Sequence, residues 1–251
     1  MTLTLISLGL WNEKSMTLEA LKEAKKCSKL YSEQYTSRLF GCSATKLEQK
    51  IGKKIEILPR ERVEDSKWLI AEAKKKKIGL LIVGDAMAAT THADFLIEAK
   101  KAKVSVRVIP GTSIYTVASG LAGLQIYKFG RATTLTFPDE KFPVRSHYDV
   151  IKYNKGVGLH TLVLLDIQNT KYMTANEGMK VLLELEKKNK EGVFKPDTKI
   201  VVVARAGSAK PKVKYGPVSK LVKMDFGGPL HTIIVPGKLH FREEEALELW
   251  E

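Results

Sequence analysis

The sequence predicts a two-domain α/β protein. Strand-like and helix-like segments alternate through the first half of the chain, a pattern typical of a mainly parallel sheet with helices on both faces. Two consecutive strand–loop–helix units carry glycine in the loop, at Gly84 and at Gly111. The pattern changes after residue 124, where a β-rich segment and a proline-bounded loop follow. We therefore expect an N-terminal α/β domain over residues 1–115 and a C-terminal α/β domain over residues 116–251.

In the first half, short apolar runs alternate with capped amphipathic segments. Thr17 is typical of an N-cap for a helix with Leu18, Leu21 and Ala24 on one face, and Asp65 is expected to cap a helix that ends at residue 73. A helix of small residues is expected over 113–124. The predicted strands cover residues 3–8, 30–35, 54–58, 78–82 and 104–109.

In the second half, the clearest helix begins after Thr174 and continues to Lys188, with Val181, Leu182 and Leu185 as its apolar stripe. A loop is expected over residues 138–143. The predicted strands cover residues 132–137, 162–166, 199–204 and 231–237.

Composition narrows the class of protein. Hydrophobic residues make up 44% and charged residues 28% of 251 residues, as in globular proteins. No apolar stretch approaches the roughly 20 residues that span a bilayer. No leader-like segment precedes the first strand, so a cytoplasmic protein with reduced Cys27 and Cys42 is expected. The five histidines are scattered singly, which predicts no metal centre.

The net charge is +14, from 42 Lys and Arg against 28 Asp and Glu. Such an excess favours an anionic partner, such as RNA or an acidic protein surface. The lysines are spread through several helices rather than gathered in one tail, and no basic motif with interleaved aromatic residues is present. A lysine-rich solvated surface explains the same composition. A nucleic-acid partner is therefore not expected from the sequence.

The run from Val83 to His92 carries the strongest functional signal. Its Gly84-Asp85 pair follows a buried strand, where ligands bind in open α/β sheets. Asp85 could orient a ligand or stabilise the turn. Ser113 could contact a ligand or cap a helix. His92, at the start of a helix, is expected to be a packing or capping residue rather than a general base.

Several familiar signatures are missing from the sequence. No G-x-G-x-x-G follows the first strand, and neither a Walker A loop nor a His-Glu-x-x-His motif nor a nucleophile elbow is present. Asp166, at a strand end, is as compatible with turn stabilisation as with a place in a cleft. No catalytic side chain is assigned.

An ordered set of motifs over nearly the whole chain resembles the tetrapyrrole methylase superfamily. In order, these motifs are Gly9–Trp11, Tyr35–Ser37, Gly84–His92, Ser113–Tyr115, Ile126–Gly130, Gly158–Leu162, Leu165–Ile167, Met173–Glu177, Ala204–Ser208 and Val235–His240. The chain is similar in particular to the branch that acts on translation elongation factor 2.

The resemblance implies a homodimeric S-adenosylmethionine-dependent methyltransferase with its cofactor in the cleft between the two domains. The implied acceptor is the amino group of the 3-carboxypropyl arm on a modified histidine of elongation factor 2, which is methylated repeatedly. The positions that match the family's cofactor contacts are Leu10, Asp85, Ala88, Ser113, Ile114, Leu165, Ala206 and His231.

The chain differs from the superfamily pattern in the Gly84-Asp85 turn. Ala86 stands where the family usually has proline, and Ala88 stands where it usually has valine. Because alanine constrains the backbone less than proline, we expect a less rigid turn.

Methyl transfer from a sulfonium to an amine moves a positive charge instead of creating one, so a dedicated base is optional. An α-amino group with a pKa of roughly 7.7–8.0 is already partly neutral at physiological pH. Two alternatives remain open: a superfamily member acting on a corrinoid or on ribosomal RNA, and a non-catalytic basic RNA-binding protein. A ribose hydroxyl would require a clear base, which the sequence does not show.

Overall fold

The computed structural model describes residues 1–35, 37–139, 144–168 and 170–251. Residue 36 of the Tyr35–Ser37 motif and residues 140–143 of the expected loop lie outside the described residues. The chain divides into two compact units, Met1–Ile114 and Tyr115–Glu251. Both units are α/β, as the sequence predicts.

The first unit is built on a five-stranded sheet in the order β3-β2-β4-β1-β5, and every neighbouring pair is parallel. This confirms the mainly parallel sheet expected from the alternating segments. The strands are β1 Thr2–Ser7, β2 Lys29–Glu33, β3 Ile55–Leu58, β4 Ile78–Ile82 and β5 Ser105–Ile109.

Three helices of the first unit begin at a capping side chain, from Thr17, Ser43 and Asp65. Thr17 Oγ1 accepts the amide of Ala20, and Asp65 Oδ1 accepts the amide of Lys67, so both expected caps are confirmed. Two further helices, α2 and α3, were not expected. The helices are α1 Leu18–Lys26, α2 Ala44–Ile51, α3 Arg60–Glu64, α4 Ser66–Ala73 and α5 Ala93–Lys101.

The predicted apolar face of α1 is wrong at one position. Leu18 is 88% exposed, whereas Ala20 and Ala24 are fully buried. Residues four apart share a helix face, so the pair Ala20 and Ala24 sets the buried side and leaves the first helical residue in solvent.

Both faces of the first sheet are covered, as a parallel sheet requires. Leu3 and Leu5 belong to one core cluster, and Ile6 and Leu8 belong to a second. All four side chains are at most 1% exposed. The carboxyl ends of the strands are thereby fixed against two layers of helices.

The second unit holds a five-stranded sheet in the order β11-β10-β12-β7-β6. Only the β6–β7 pair is parallel, and the other three pairs are antiparallel. Strand β11 and the β8–β9 hairpin were not expected from the sequence. The strands are β6 Thr133–Leu135, β7 Thr161–Leu165, β8 Ile167–Gln168, β9 Lys171–Tyr172, β10 Lys199–Ala204, β11 Lys212–Pro217 and β12 His231–Val235.

The helix predicted after Thr174 is confirmed as α8. Thr174 and Glu177 form a capping box, and Leu182 is fully buried in the core of the unit. Within the described ranges, no helix is long and apolar enough to cross a membrane. The helices are α6 Ile114–Ala122, α7 Ser146–Gly156, α8 Ala175–Asn189, α9 Val218–Leu221 and α10 Phe241–Glu248.

Candidate functional site

Three adjacent strands of the first sheet end at the same edge. Strand β1 lies between β4 and β5 and is parallel to both, so the loops that follow these three strands are neighbours. We call these loops the first edge. Five of the predicted cofactor residues follow one of the three strands: Leu10, Asp85, Ala88, Ser113 and Ile114. The fold thus brings all five to the position where α/β sheets bind ligands.

Asp85 ties two loops of the first edge together. Its Oδ1 accepts the amide N–H of Met87 at 2.9 Å, and its Oδ2 accepts the amide N–H of Gly111 at 2.8 Å. The first hydrogen bond closes the turn after β4, and the second holds the loop after β5. Both carboxylate oxygens therefore position main chain, which is the turn-stabilising role considered from the sequence.

The main-chain N–H and carbonyl of Ala86 are held by three side chains. Its N–H donates to Ser7 Oγ at 2.9 Å, and its carbonyl accepts from Thr90 Oγ1 at 3.1 Å and lies 2.8 Å from His92 Nδ1. Ala86 itself is fully buried. The turn is therefore fixed by hydrogen bonds where the superfamily uses proline, and one of them needs the amide hydrogen that proline lacks.

His92 is a buried packing residue, 1% exposed, with its ring centroid 5.7 Å from that of Phe95. A carbonyl only accepts, so Nδ1 must carry the hydrogen that bonds Ala86. Nε2 has no hydrogen-bond partner among the described residues. His92 is thus placed to support the turn after β4, in agreement with the packing role favoured from the sequence.

Two glycines shape the first edge for different reasons. A Cβ on Gly111 would lie 2.4 Å from Ser7 Cβ and 3.1 Å from the carbonyl oxygen of Gly84, so the β5 loop approaches β1 too closely for a side chain. Gly84 has a φ of +80°, and a Cβ there would meet nothing nearer than Leu10 Cδ2 at 4.0 Å. Gly84 thus borders open space, which a ligand could fill.

The remaining predicted cofactor residues meet at one edge of the second sheet. Leu165 ends β7, Ala206 follows β10, and His231 begins β12. Because β12 is antiparallel to both neighbours, with His231 opposite Ala204, its start lies beside their ends. We call this group the second edge. All of its residues belong to the second unit.

The His231 side chain forms hydrogen bonds to backbone groups of the second unit. Its Nδ1 accepts the amide N–H of Ala175 at 3.1 Å, at the start of α8, and its Nε2 lies 3.0 Å from the carbonyl of Gly228, to which it donates. These partners define a neutral ring with hydrogen on Nε2. Burial lowers the pKa of His231 below its usual value, which favours the same neutral form.

Arg205 shapes the loop that contains Ala206. It adopts a left-handed conformation with a φ of 53°, and its guanidinium donates to the carbonyls of Phe226 and Gly228, the latter at 3.1 Å. Gly228 therefore receives hydrogen bonds from both Arg205 and His231. Arg205 lies in the Ala204–Ser208 motif, but nothing in its local sequence indicates these partners.

Asp166 stabilises a turn beside Leu165. Its Oδ2 accepts the amide N–H of Phe137 at 2.9 Å and the side chain of Gln168 at 3.0 Å. No role was predicted from the sequence for Ser7, whose partner Ala86 is 79 residues away, or for Thr90, which bonds the carbonyl of Ala86 within the same loop. In the part of the chain that the structure describes, no group of three potential metal-ligating side chains is found.

The family of the chain follows from comparison with known proteins. A family model described as tetrapyrrole (corrin/porphyrin) methylases matches residues 2–222. The chain belongs to this family of methyltransferases.

Within the family, the chain is similar to diphthine synthases. It is 54% identical over 251 residues to the diphthine synthase of Methanocaldococcus jannaschii, covering 98% of this chain and 97% of that protein. It is 51% identical over 247 residues to the diphthine synthase of Methanococcus aeolicus, covering 97% and 96%. A crystal structure of diphthine synthase matches with a TM-score of 0.91 and 36% identity, covering 100% of this chain and 96% of that one.

Proposed function

We propose that this chain is a diphthine synthase: it transfers methyl groups from S-adenosylmethionine to the modified histidine of translation elongation factor 2, in diphthamide biosynthesis. The observation that carries the proposal is identity of about half the residues to diphthine synthases over nearly the full length of both chains. The acceptor atom is the nitrogen of the amino group on the 3-carboxypropyl arm of that histidine.

The first edge is suited to hold S-adenosylmethionine. Open space borders Gly84, and the turn after β4 is fixed by Asp85 and by the groups that hold Ala86. We propose that the eight residues predicted from the resemblance contact the cofactor, and that many of these contacts are main-chain. The side chains of Asp85 and His231 support this view, because their hydrogen bonds are made to protein backbone.

S-adenosylmethionine supplies a methyl group on a sulfonium for in-line displacement by the acceptor amine. The contribution of this chain is then alignment and exclusion of water. Well-oriented reactants gain on the order of 7–11 kcal/mol, so rigid loops matter more than an added charge. The groups that fix Ala86 and Gly111 supply such rigidity at the first edge.

We also propose a homodimer acting in the cytoplasm, where the acceptor factor works. The resemblance to the superfamily supports the dimer, and the free cysteines Cys27 and Cys42 fit a reducing compartment. Sedimentation equilibrium should give twice the chain mass of 28.0 kDa.

The direct test is methyl transfer to elongation factor 2 carrying the unmethylated 3-amino-3-carboxypropyl histidine. The purified chain and methyl-labelled S-adenosylmethionine should label this factor. The matched control is the same factor with the target histidine replaced by glutamine, which should stay unlabelled. Absence of label from the true acceptor, in a preparation that binds S-adenosylmethionine by calorimetry, would refute the substrate assignment.

A further inference from the structure

The fold gathers lysines that are dispersed in the sequence. In a parallel βα sheet, each connection from a helix to the next strand lies at the amino edge of the sheet. The four such connections of the first unit, at residues 25–29, 50–54, 74–77 and 100–103, hold three, three, four and three lysines. None of the four segments contains an acidic residue. We call these segments the basic edge.

Neighbouring glutamates neutralise only part of the basic edge. Glu23 pairs with Lys26 and Lys77 at 2.6 and 3.0 Å. Four other glutamates pair with one lysine each, through the ion pairs Lys29–Glu56, Lys54–Glu48, Lys76–Glu72 and Lys101–Glu98. Five carboxylates therefore face thirteen ammonium groups, which leaves an excess of eight positive charges.

Each connection also presents an exposed lysine that forms no ion pair with any described residue. These lysines are Lys25, Lys50, Lys75 and Lys100. The five strands behind them are about 4.8 Å apart, so the basic edge extends over about 19 Å. A nucleic-acid duplex carries roughly one charge per 1.7 Å of its axis (the B-DNA value), so on the order of ten phosphates match this width.

We propose that the basic edge binds the phosphodiester backbone of a nucleic-acid duplex, in addition to the methyl-transfer activity of the chain. Lysine is depleted from the apolar centres of protein–protein interfaces, whereas phosphate contacts need only point charges. The four connections are lysine-rich and present no large apolar side chain for a partner protein to bury. A second copy of the chain is disfavoured there, because like charges would face each other.

The position of the basic edge separates this binding from catalysis. The five-residue strands β4 and β5 carry the first edge at their carboxyl ends and the basic edge at their amino ends, about 16 Å away along a strand. Phosphate binding should therefore leave methyl transfer unchanged. It would hold the enzyme near nucleic acid without occupying the first edge.

The test uses fluorescence anisotropy of the full chain with a labelled 24-base-pair RNA duplex of mixed sequence, from 50 to 300 mM salt. A DNA duplex of the same sequence distinguishes the two sources of the phosphodiester backbone. The test variant carries Lys25→Gln, Lys50→Gln, Lys75→Gln and Lys100→Gln. The control variant removes four exposed lysines of the second unit, through Lys180→Gln, Lys187→Gln, Lys188→Gln and Lys220→Gln, and so has the same net charge.

We expect the test variant to bind the RNA duplex about tenfold more weakly at 100 mM salt and to lose up to about 3.6 units of the log–log salt slope. The control variant should change affinity less than twofold, and both variants should keep the methyl-transfer rate. Equal weakening of both variants, or no duplex binding by the native chain at 50 mM salt, would overturn the proposal. So would a test variant that binds the duplex normally but loses binding to anionic vesicles or raises KM for the protein acceptor.

Discussion

The first and second edges bring the predicted cofactor residues together by different routes. At the first edge, three parallel strands end side by side, and each is followed by a loop that carries predicted residues. At the second edge, Leu165 and Ala206 lie at strand ends, whereas His231 lies at a strand start and reaches them only because β12 is antiparallel to its neighbours. The rule that ligands bind at carboxyl ends of strands therefore identifies the first edge but not His231.

The two edges also differ in how their main chain is fixed. The first edge relies on Asp85, Ser7, Thr90 and His92, which all bond the backbone of the loops after β4 and β5. The second edge relies on His231, whose acceptor function at Nδ1 exists only in the neutral ring. We therefore expect substitutions at the first edge to change stability and cofactor affinity. At the second edge, we expect pH to change stability as well.

The largest loss of stability and of cofactor affinity is expected from Asp85→Ala. Two amide N–H groups would lose a carboxylate partner, and hydrogen bonds to charged groups are worth about 1.5–3 kcal/mol each. We expect the free energy of unfolding to fall by about 3 kcal/mol in urea titrations. The affinity for S-adenosylmethionine should fall at least about tenfold by calorimetry, because loops that are no longer fixed bind with a larger entropy cost.

The control for this variant is Asp65→Ala. Asp65 also accepts a backbone amide, that of Lys67, but it follows β3, which β2 separates from the three strands of the first edge. It should cost about 1 kcal/mol of stability and leave cofactor affinity unchanged. Unaltered cofactor binding by Asp85→Ala would show that the loop connection does not serve the site.

Gly111→Ala should have the next largest effect. A Cβ at Gly111 would lie 2.4 Å from Ser7 Cβ, so the β5 loop must move away from β1. Overpacking of this kind costs about 1–3 kcal/mol, and the displaced loop should also weaken cofactor binding. Gly120→Ala is the matched control: its Cβ would meet no atom within 4 Å, and it should stabilise the helix by up to about 1 kcal/mol. A Gly111→Ala variant as stable as Gly120→Ala would contradict the close approach.

The first edge shows which parts of the site sequence patterns can predict. Alternation of strands and helices gave the parallel sheet, and the glycine loops gave the positions of Asp85 and Ser113. Ser7 could not be identified, because its partner Ala86 is 79 residues away in sequence and a lone serine in a strand carries no local signal. In the second unit, β11 was missed because its alternating run carries only two apolar residues, Val213 and Tyr215, before it ends in Gly216 and Pro217.

Substitutions of His92 should have smaller effects on stability and KM. They distinguish a His92 that supports the loop from one that transfers a proton. His92→Asn keeps a donor near the position of Nδ1, whereas His92→Leu removes it and leaves the buried Ala86 carbonyl with Thr90 as its side-chain donor. We expect the leucine variant to lose about 1–2 kcal/mol of stability and to raise KM for S-adenosylmethionine several-fold with little change in kcat. The asparagine variant should restore KM. A collapse of kcat in both variants would instead identify His92 as a general base.

The pH dependence of stability tests the second edge. Because burial lowers the folded-state pKa of His231, the unfolded chain takes up the proton first as pH falls. The stabilisation is complete above the unfolded pKa of roughly 6.5 and is lost below it, by up to about 1.4 kcal/mol per pH unit, until the lowered folded pKa is reached.

His231→Asn keeps an acceptor for the Ala175 amide but does not titrate. Its unfolding free energy should therefore fall less steeply than that of the native chain between pH 6.5 and 5, while His147 and His160, whose pKa values burial also lowers, contribute equally to both proteins. Urea titrations at each pH measure the two slopes, and parallel profiles would show that the second edge does not depend on the neutral ring.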